Sequence, residues 1–306
     1  MNEILVIGSS NIDMIMKMDH LPQTGETVTD AVLSQVYGGK GANQAVAAAR
    51  SGGDVAFVNC VGDDANAKPM VDNYKLDGIN TEYVFRETGI ATGTALIMIG
   101  DQGNNYISVA PGANYRLTPG YIDTVEKLIQ NSEIILLQYE ILPETLAYAI
   151  QKAHGYHVKI ILNLAPAREI DNSLLSLVDI LVVNEIEAEY LSGYQLRTDE
   201  EVGSAAQKIL EKGANTVIIT LGSRGSWIAT KNEAIKIPAY SVEAVDVTGA
   251  GDVFCGCLAT ALTEGRDLKN SVTFASAGAA LSVTRIGAQP SAPFRKEINE
   301  FINSRL

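Results

Sequence analysis

Histidine and cysteine are scarce: three of each in 306 residues. His154 and His157 fall in a polar stretch between an expected helix and strand, and His20 in a polar loop, so each reads as a solvated loop residue. A Ser-His-Asp or histidine-ligated metal enzyme is therefore poorly supported. Cys60, Cys255 and Cys257 are odd in number and widely spaced, which excludes a disulfide framework. The lone C-x-C has no second cluster to complete a zinc site. Basic residues are also few, 23 against 36 acidic, for a net charge of −13. No Lys/Arg cluster occurs, which argues against DNA, RNA and anionic membranes as partners. No apolar run reaches the ~20 residues of a membrane helix, and the N-terminus has no basic region before its apolar run, which reads as a strand and not a signal peptide. The expected compartment is the cytoplasm. What remains for chemistry is carboxylates, backbone amides and a bound cation.

The composition is globular, 46% hydrophobic and 19% charged, and the length gives a prior of two domains or one large α/β domain with an appendage. Residues 3–7 form a buried strand closed by Gly8-Ser9-Ser10, and 54–61 the next. From Thr118 onward helices (119–130, 143–153, 185–191, 200–212) alternate with strands (134–138, 158–163, 180–183, 216–220). Two late helices, 252–262 and 268–283, are rich in small residues. Strands alternating with helices predict a mostly parallel sheet with helices on both faces. Two stretches without helices break the rhythm, with a hairpin signal at 100–104. They predict a small antiparallel lid, discontinuous in sequence, formed by about 11–36 and 92–110. The whole chain, 1–306, is expected to be one α/β domain carrying that lid.

The strongest local signal is Asp246-Val247-Thr248-Gly249-Ala250-Gly251-Asp252 running into an apolar helix. Gly249, Ala250 and Gly251 then lie at a helix N-terminus, where free N–H groups and the helix dipole make an anion hole. Asp252 in the same turn is placed to take a proton from an attacking hydroxyl; the plainer reading is a glycine turn with a dipole-favoured aspartate. Gly38-Gly39-Lys40-Gly41-Ala42-Asn43-Gln44 opens a second helix. It fails the P-loop pattern, because Gly41 follows Lys40, and the dinucleotide pattern, because Gln44 stands at the third glycine. Asn11 and Asp13, two apart on a strand, face one side and suit sugar hydroxyls, or merely solvate a strand end. Glu140, Asn184 to Glu187, and Thr220 to Gly225 each follow a strand, where parallel sheets place ligand residues. Asn184 could equally be a helix cap.

These segments resemble the PfkB, or ribokinase-like, family of carbohydrate kinases along essentially the full chain. Residues 38–45 (GGKGANQA) are similar to its N-terminal signature and 246–256 (DVTGAGDVFCG) to its C-terminal one. Asn184–Glu187 resembles the N-x-x-E motif, and 284–290 (TRIGAQP) a segment that helps enclose a monovalent cation. The resemblance implies ATP-dependent phosphorylation of D-ribose at its 5-hydroxyl. Asp252 would be the base, and Gly249, Ala250 and Gly251 the anion hole. Asn11, Asp13, Gly39, Lys40, Asn43 and Glu140 would hold sugar. Nucleotide would meet Asn184, Thr220, Gly222, Gly225, Gly251 and Ser276, with Glu187 ordering Mg2+ and phosphate. K+ would be caged by Asp246, the carbonyls of Thr248, Ser282, Arg285 and Gly287, and Ser291. The resemblance also implies a homodimer through the lid sheets. Val247, Cys257 and Ser276 depart from the family's commonest residues; the last puts the adenine contact in question. Alternatives are another PfkB-family specificity (deoxyribose, fructose or ketodeoxygluconate) or a non-catalytic sugar or nucleotide sensor on the same fold. An NAD-dependent oxidoreductase is disfavoured by the missing fingerprint.

Overall fold

A computed structural model describes residues 3–102 and 104–305. The start of the N-terminal run (Met1, Asn2) and Gly103 of the expected hairpin turn lie outside the described residues. In chain order the elements are β1 (Ile4–Ile7), β2 (Asn11–Met18), β3 (Val32–Gly38), α1 (Lys40–Arg50), β4 (Val55–Val61), α2 (Ala67–Leu76), β5 (Val84–Arg86), β6 (Gly93–Gly100), β7 (Asn105–Ala110), α3 (Pro119–Thr124), α4 (Glu126–Gln130) and β8 (Ile134–Gln138). There follow α5 (Pro143–Gly155), β9 (Lys159–Asn163), α6 (Asn172–Leu175), β10 (Ile180–Asn184), α7 (Glu185–Ser192), α8 (Asp199–Glu211), β11 (Thr216–Thr220), β12 (Ser226–Thr230), β13 (Ala234–Ile237), α9 (Ala250–Thr263), α10 (Leu268–Ser282) and α11 (Arg295–Asn303).

The large sheet has the order β13-β12-β11-β10-β9-β8-β1-β4-β5 and is parallel from β5 to β11. Its central strands are apolar without interruption because helices cover both faces. Within β1 the side chains alternate between two cores: Leu5 and Ile7 pack with α3, α4, α5 and α8, while Ile4 and Val6 pack with α1, α9 and α10. A parallel sheet with this winding brings the carboxyl ends of β1, β8, β9, β10 and β11 to one edge. Every sugar- or nucleotide-directed residue singled out after a core strand therefore lies along that edge.

The second sheet, β3-β2-β6-β7, is separate. It differs from expectation in one respect. The hairpins β2/β3 and β6/β7 are antiparallel, but β2 and β6 run parallel, so the sheet is mixed. The reason is the crossover: a long connection containing α1, β4 and α2 separates the two hairpins and returns the chain in the same direction. Two further differences concern the large sheet and one helix. β12 and β13 extend the sheet as an antiparallel meander that lies outside the expected elements. The helix expected over 119–130 is two, broken at Val125 (φ −107°, ψ 15°). There a tighter i−3 bond to Ile122 lets Ile122, Val125 and Ile129 all face the core. Among the described residues no helix is long and apolar enough to cross a membrane.

Candidate functional site

The site grows from the junction of the two sheets. The chain leaves β1 through Gly8-Ser9-Ser10, enters β2 at Asn11, and returns along β3 to the glycines that open α1. In register, Asn11 is flanked by Gly38 on one side and Gly93 on the other. Neither could carry a side chain. A Cβ on Gly38 would fall 2.2 Å from Asp13 Oδ2, and one on Gly93 would fall 2.3 Å from Asn11 Oδ1. The two polar side chains thus occupy room left by the neighbouring strands. Asn11 is buried and accepts from Asn114 Nδ2 (2.8 Å), while Asn114 Oδ1 accepts from Ser10 N (2.9 Å).

Glu140, just beyond β8, ties this junction to α1. Its Oε2 accepts from Ser9 Oγ (2.6 Å) and from Lys40 N (3.0 Å). Asp13, Glu140 and Asp252 share one field around Lys40. Burial, and then the charges of Glu140 and Asp252, push the Asp13 carboxyl up to about 6, against the pull of Lys40. Burial opposes the charge on Lys40, yet Asp252, Glu140 and Glu187 together hold its ammonium above the usual lysine value. Three carboxylates and one cation from four segments make a polar cluster whose chemistry suits a polyhydroxylated ligand.

Asp252 lies in the first turn of α9, as the glycine pattern predicts. Gly249 is the N-cap at φ 75°, a left-handed conformation that favours glycine, and a Cβ there would meet that of Ala288 at 2.9 Å. Asp252 is buried, and both its oxygens accept hydrogen bonds, Oδ2 from Asn43 Nδ2 (2.9 Å) and Oδ1 from Gln44 Nε2 (3.0 Å). Burial raises its pKa, and Lys40 and the two amides work against that rise. Asn43 Oδ1 is buried without a protein partner, an acceptor available to a ligand hydroxyl.

On the other flank Asn184 is the helix cap of the plainer reading. Its Oδ1 accepts from Glu187 N (2.9 Å), and Glu187 Oε2 accepts from Asn184 N (2.8 Å). The two bonds together form a capping box. Glu187 is buried. Thr220 ends β11, with Gly222 and Gly225 in the turn that follows, and Ser276 is half-buried on α10. Asp246 joins two loops, its Oδ1 accepting from Thr248 N (2.9 Å) and its Oδ2 from Gly287 N (2.8 Å). The hydroxyls of Ser282 and Ser291 donate to Ala279 O and Ala288 O, and the Arg285 side chain pairs with Glu297. Backbone oxygens, with Asp246, are what this region offers a cation.

Five polar residues of this region stand outside the expected set: Ser9, Gln44, Asn114, Gln138 and Asn163. Gln44 has a signal, since it stands inside the glycine segment; the others are amides and a hydroxyl whose partners are remote in sequence. His20 pairs with Glu26 on the surface (2.8 Å) and His157 turns at φ 60°, but His154 is exposed in the last turn of α5 and not in the loop expected of it, because the helix runs on to Gly155.

The family model of the "pfkB family carbohydrate kinase" matches residues 1–295. A ribokinase of Haemophilus influenzae is 39% identical over 299 residues, covering 98% of each chain. A deoxyribokinase of Salmonella typhi is 37% identical over 302 residues, covering 98% of this chain and 99% of its own. The structure of Arabidopsis thaliana ribokinase complexed with ribose and ATP superposes with a TM-score of 0.93 at 32% identity, over 98% of both chains. An α/β body with an attached small sheet, two glycine-opened helices joined in one polar cluster, and these full-length similarities lead to one conclusion: the chain belongs to the pfkB family of carbohydrate kinases.

Proposed function

We propose that the protein transfers the γ-phosphoryl group of ATP to the 5-hydroxyl of D-ribose. The observation that carries this reading is Asp252. It is a buried carboxylate in the first turn of a glycine-capped helix, bonded at both oxygens and adjoining the Asp13, Glu140 and Lys40 pocket. The sugar is held by Asn11, Asp13, Gly39, Lys40, Asn43 and Glu140. Asp252 takes the hydroxyl proton as the oxygen attacks γ-phosphorus and the β,γ-bridging oxygen departs with ADP. The N–H groups of Gly249, Ala250 and Gly251 receive the charge growing on the phosphoryl oxygens. Phosphoryl transfer asks for positioning and charge stabilisation, and this pocket supplies both without a histidine. Asn184, Thr220, Gly222, Gly225 and Ser276 line the nucleotide's path, Asn184 chiefly through the helix it caps.

Mg2+ is commonly held by one or two carboxylates and substrate phosphates. Glu187, buried with one oxygen committed to Asn184 N, fits that arrangement. The donor set of Asp246, the carbonyls of Thr248, Ser282, Arg285 and Gly287, and Ser291 is all oxygen with a single formal charge, which fits K+. That ion would neutralise and order the loops that Asp246 joins. The small sheet is the lid in this reading, closing over sugar and excluding water. One of its faces carries Asn11 and Asp13 at the root and Ile15, Val36, Ile97, Ile107 and Val109 beyond them, by the alternation of its register. Ile107 and Val109 are exposed; a second copy of the chain is the partner that covers them, as a homodimer. Three reduced, buried cysteines suit the cytoplasm.

The relative named deoxyribokinase favours one second reading, 2-deoxyribose as the acceptor. A coupled assay over pentoses and hexoses decides between them. Ribose is expected to exceed 2-deoxyribose in kcat/KM by roughly tenfold or more, because a buried carboxylate that loses its hydroxyl partner costs about 1–3 kcal/mol. Asp252→Asn should bind sugar and lose about 10²–10⁴-fold in turnover; a variant keeping half the wild-type rate refutes the assignment of the base.

A further inference from the structure

We infer that Gln138 and Asn163, which touch no reacting atom, are positioning residues that fix the polarity of the Gln44 amide so that it faces Asp252 with N–H groups. The inference rests on Asp252 being the base.

A side-chain amide presents donors at one end and an acceptor at the other, and can satisfy a site either way round. Backbone carbonyls only accept, so they settle the polarity of what they face. Asn163 Nδ2 donates to Val182 O (3.2 Å), and Gln138 Nε2 lies toward Leu136 O (3.5 Å). The Asn163 anchor leaves its amide one orientation; the longer Gln138 contact favours the same sense, with Gln138 Oε1 left buried without a protein partner. Asn163 therefore turns Oδ1 toward Gln44 Nε2 (3.0 Å), and Gln138 donates from Nε2 to Gln44 Oε1 (2.6 Å). With an acceptor on its nitrogen side and a donor on its oxygen side, Gln44 has one orientation too. Its Nε2 then donates to Asp252 Oδ1.

The geometry gives these groups no room to rearrange. Gln138 and Asn163 are opposite residues at the carboxyl ends of the adjacent strands β8 and β9. Gln44 and Gln138 are fully buried, and Asn163 nearly so. The Gln138 amide fills the place of the side chain Gly8 lacks, since a Cβ on Gly8 would lie 2.0 Å from Gln138 Oε1. A reversed Gln44 would set its carbonyl oxygen against Asp252 Oδ1, acceptor to acceptor. As built, Asn43 and Gln44 supply one donor to each carboxylate oxygen. That is the pattern an ionised aspartate requires, and it leaves the remaining lone pairs for the sugar hydroxyl proton. The sheet edge thus transmits the direction of two backbone carbonyls, through three amides, to the group that starts the reaction.

The test is a cycle of Gln44→Met, Gln138→Met and the double variant, with kcat, KM for sugar and for ATP, and denaturation measured for each. Misplacing a catalytic group from outside the reacting shell costs up to about 10²-fold. Gln138→Met is expected to lower kcat about tenfold or more while leaving both KM values within about twofold. Because Gln138 acts through Gln44, the double variant should be no slower than Gln44→Met, a non-additivity that residues acting independently do not show. Wild-type kcat in Gln138→Met, a loss confined to KM, or multiplying losses in the double variant would each overturn the inference. Should Gln138→Met not fold, Asn163→Ser goes through the same cycle against the same criteria. Asp252→Asn separates the two levels: retained turnover there overturns the base and this inference together, whereas a dead Asp252→Asn beside a full-speed Gln138→Met overturns this inference alone.

Discussion

Acid should weaken sugar binding, and Asp13 sets where. Burial and the neighbouring Glu140 and Asp252 place its carboxyl at about 6, against an ordinary value of 3.8. Accepting hydrogen bonds from two sugar hydroxyls requires the ionised form, so the competent fraction falls as protons are added. The apparent Kd is the intrinsic Kd divided by that fraction. The fraction is near one at about pH 8, about one half at about pH 6 and about one tenth at about pH 5. The Kd should therefore rise roughly tenfold across that range, about 1.4 kcal/mol. Titration calorimetry of ribose without nucleotide, in two buffers of different ionisation enthalpy, should also detect about half a proton released per sugar near pH 6. The sign for stability is the reverse. A carboxyl whose folded pKa is raised contributes stability that is fully present below about 4 and lost as pH rises through about 6. Asp13→Asn should then bind ribose weakly and without this pH dependence, yet stabilise the ligand-free protein at neutral pH by up to about 3 kcal/mol. A Kd that is flat between about pH 5 and pH 8, or a slope that survives Asp13→Asn, refutes the reasoning.

Arg50 meets Asp77 through two nitrogens (2.7 and 3.1 Å) and donates to Gln289 O (2.6 Å). Arg50→Met would leave that buried carboxylate unpaired and should destabilise the fold by about 3–5 kcal/mol in urea. A change within about 1 kcal/mol would show that solvent replaces the guanidinium. Ile107→Glu should leave each subunit folded and shift sedimentation from dimer to monomer; an unchanged profile removes the lid face as the interface. K+ should raise turnover above Na+ or an organic cation at matched ionic strength, and equal rates would contradict the cage around Asp246.

What was legible in the sequence is what adjacent residues settle among themselves. The uninterrupted apolar runs of β1 and β8 read as strands covered on both faces. The glycines before α1 and α9 read as helix starts with polar residues in the first turn, and Asn184 as one reading of a cap; the part Glu187 plays in that cap was not read from the sequence. The direction of β2 against β6 was not legible, since pairing direction is a property of the intervening crossover and leaves no mark on either strand. β12 and β13 escaped because Ser-Trp-Ile-Ala-Thr and Ala-Ile-Lys-Ile are runs of five and four residues, too short to show a period, and only β13 lies at the sheet edge. The Asp252 carboxylate was visible, but what holds it was not. Gln138 and Asn163 end their strands as any polar residue might, and their meaning lies in Gln44, which the chain brings to them from 94 and 119 positions away.

β2 has its first residue buried at the junction of the two sheets and its far end in the small sheet alone, the geometry of a lever arm. At about 3.3 Å per residue, its eight residues span about 23 Å from Asn11 to Met18. Over that length a tilt of about 10° at the root carries the tip roughly 4 Å. The residues assigned to the sugar sit at the fulcrum, where Gly38 and Gly93 leave space for Asn11 and Asp13. A ligand that shifts Asp13 by a few tenths of an ångström moves the remote edge by several times that distance. If the small sheet closes over the sugar as proposed, mechanical gain of this kind would make the size of the sugar, and not only its hydrogen bonds, a quantity that closure registers.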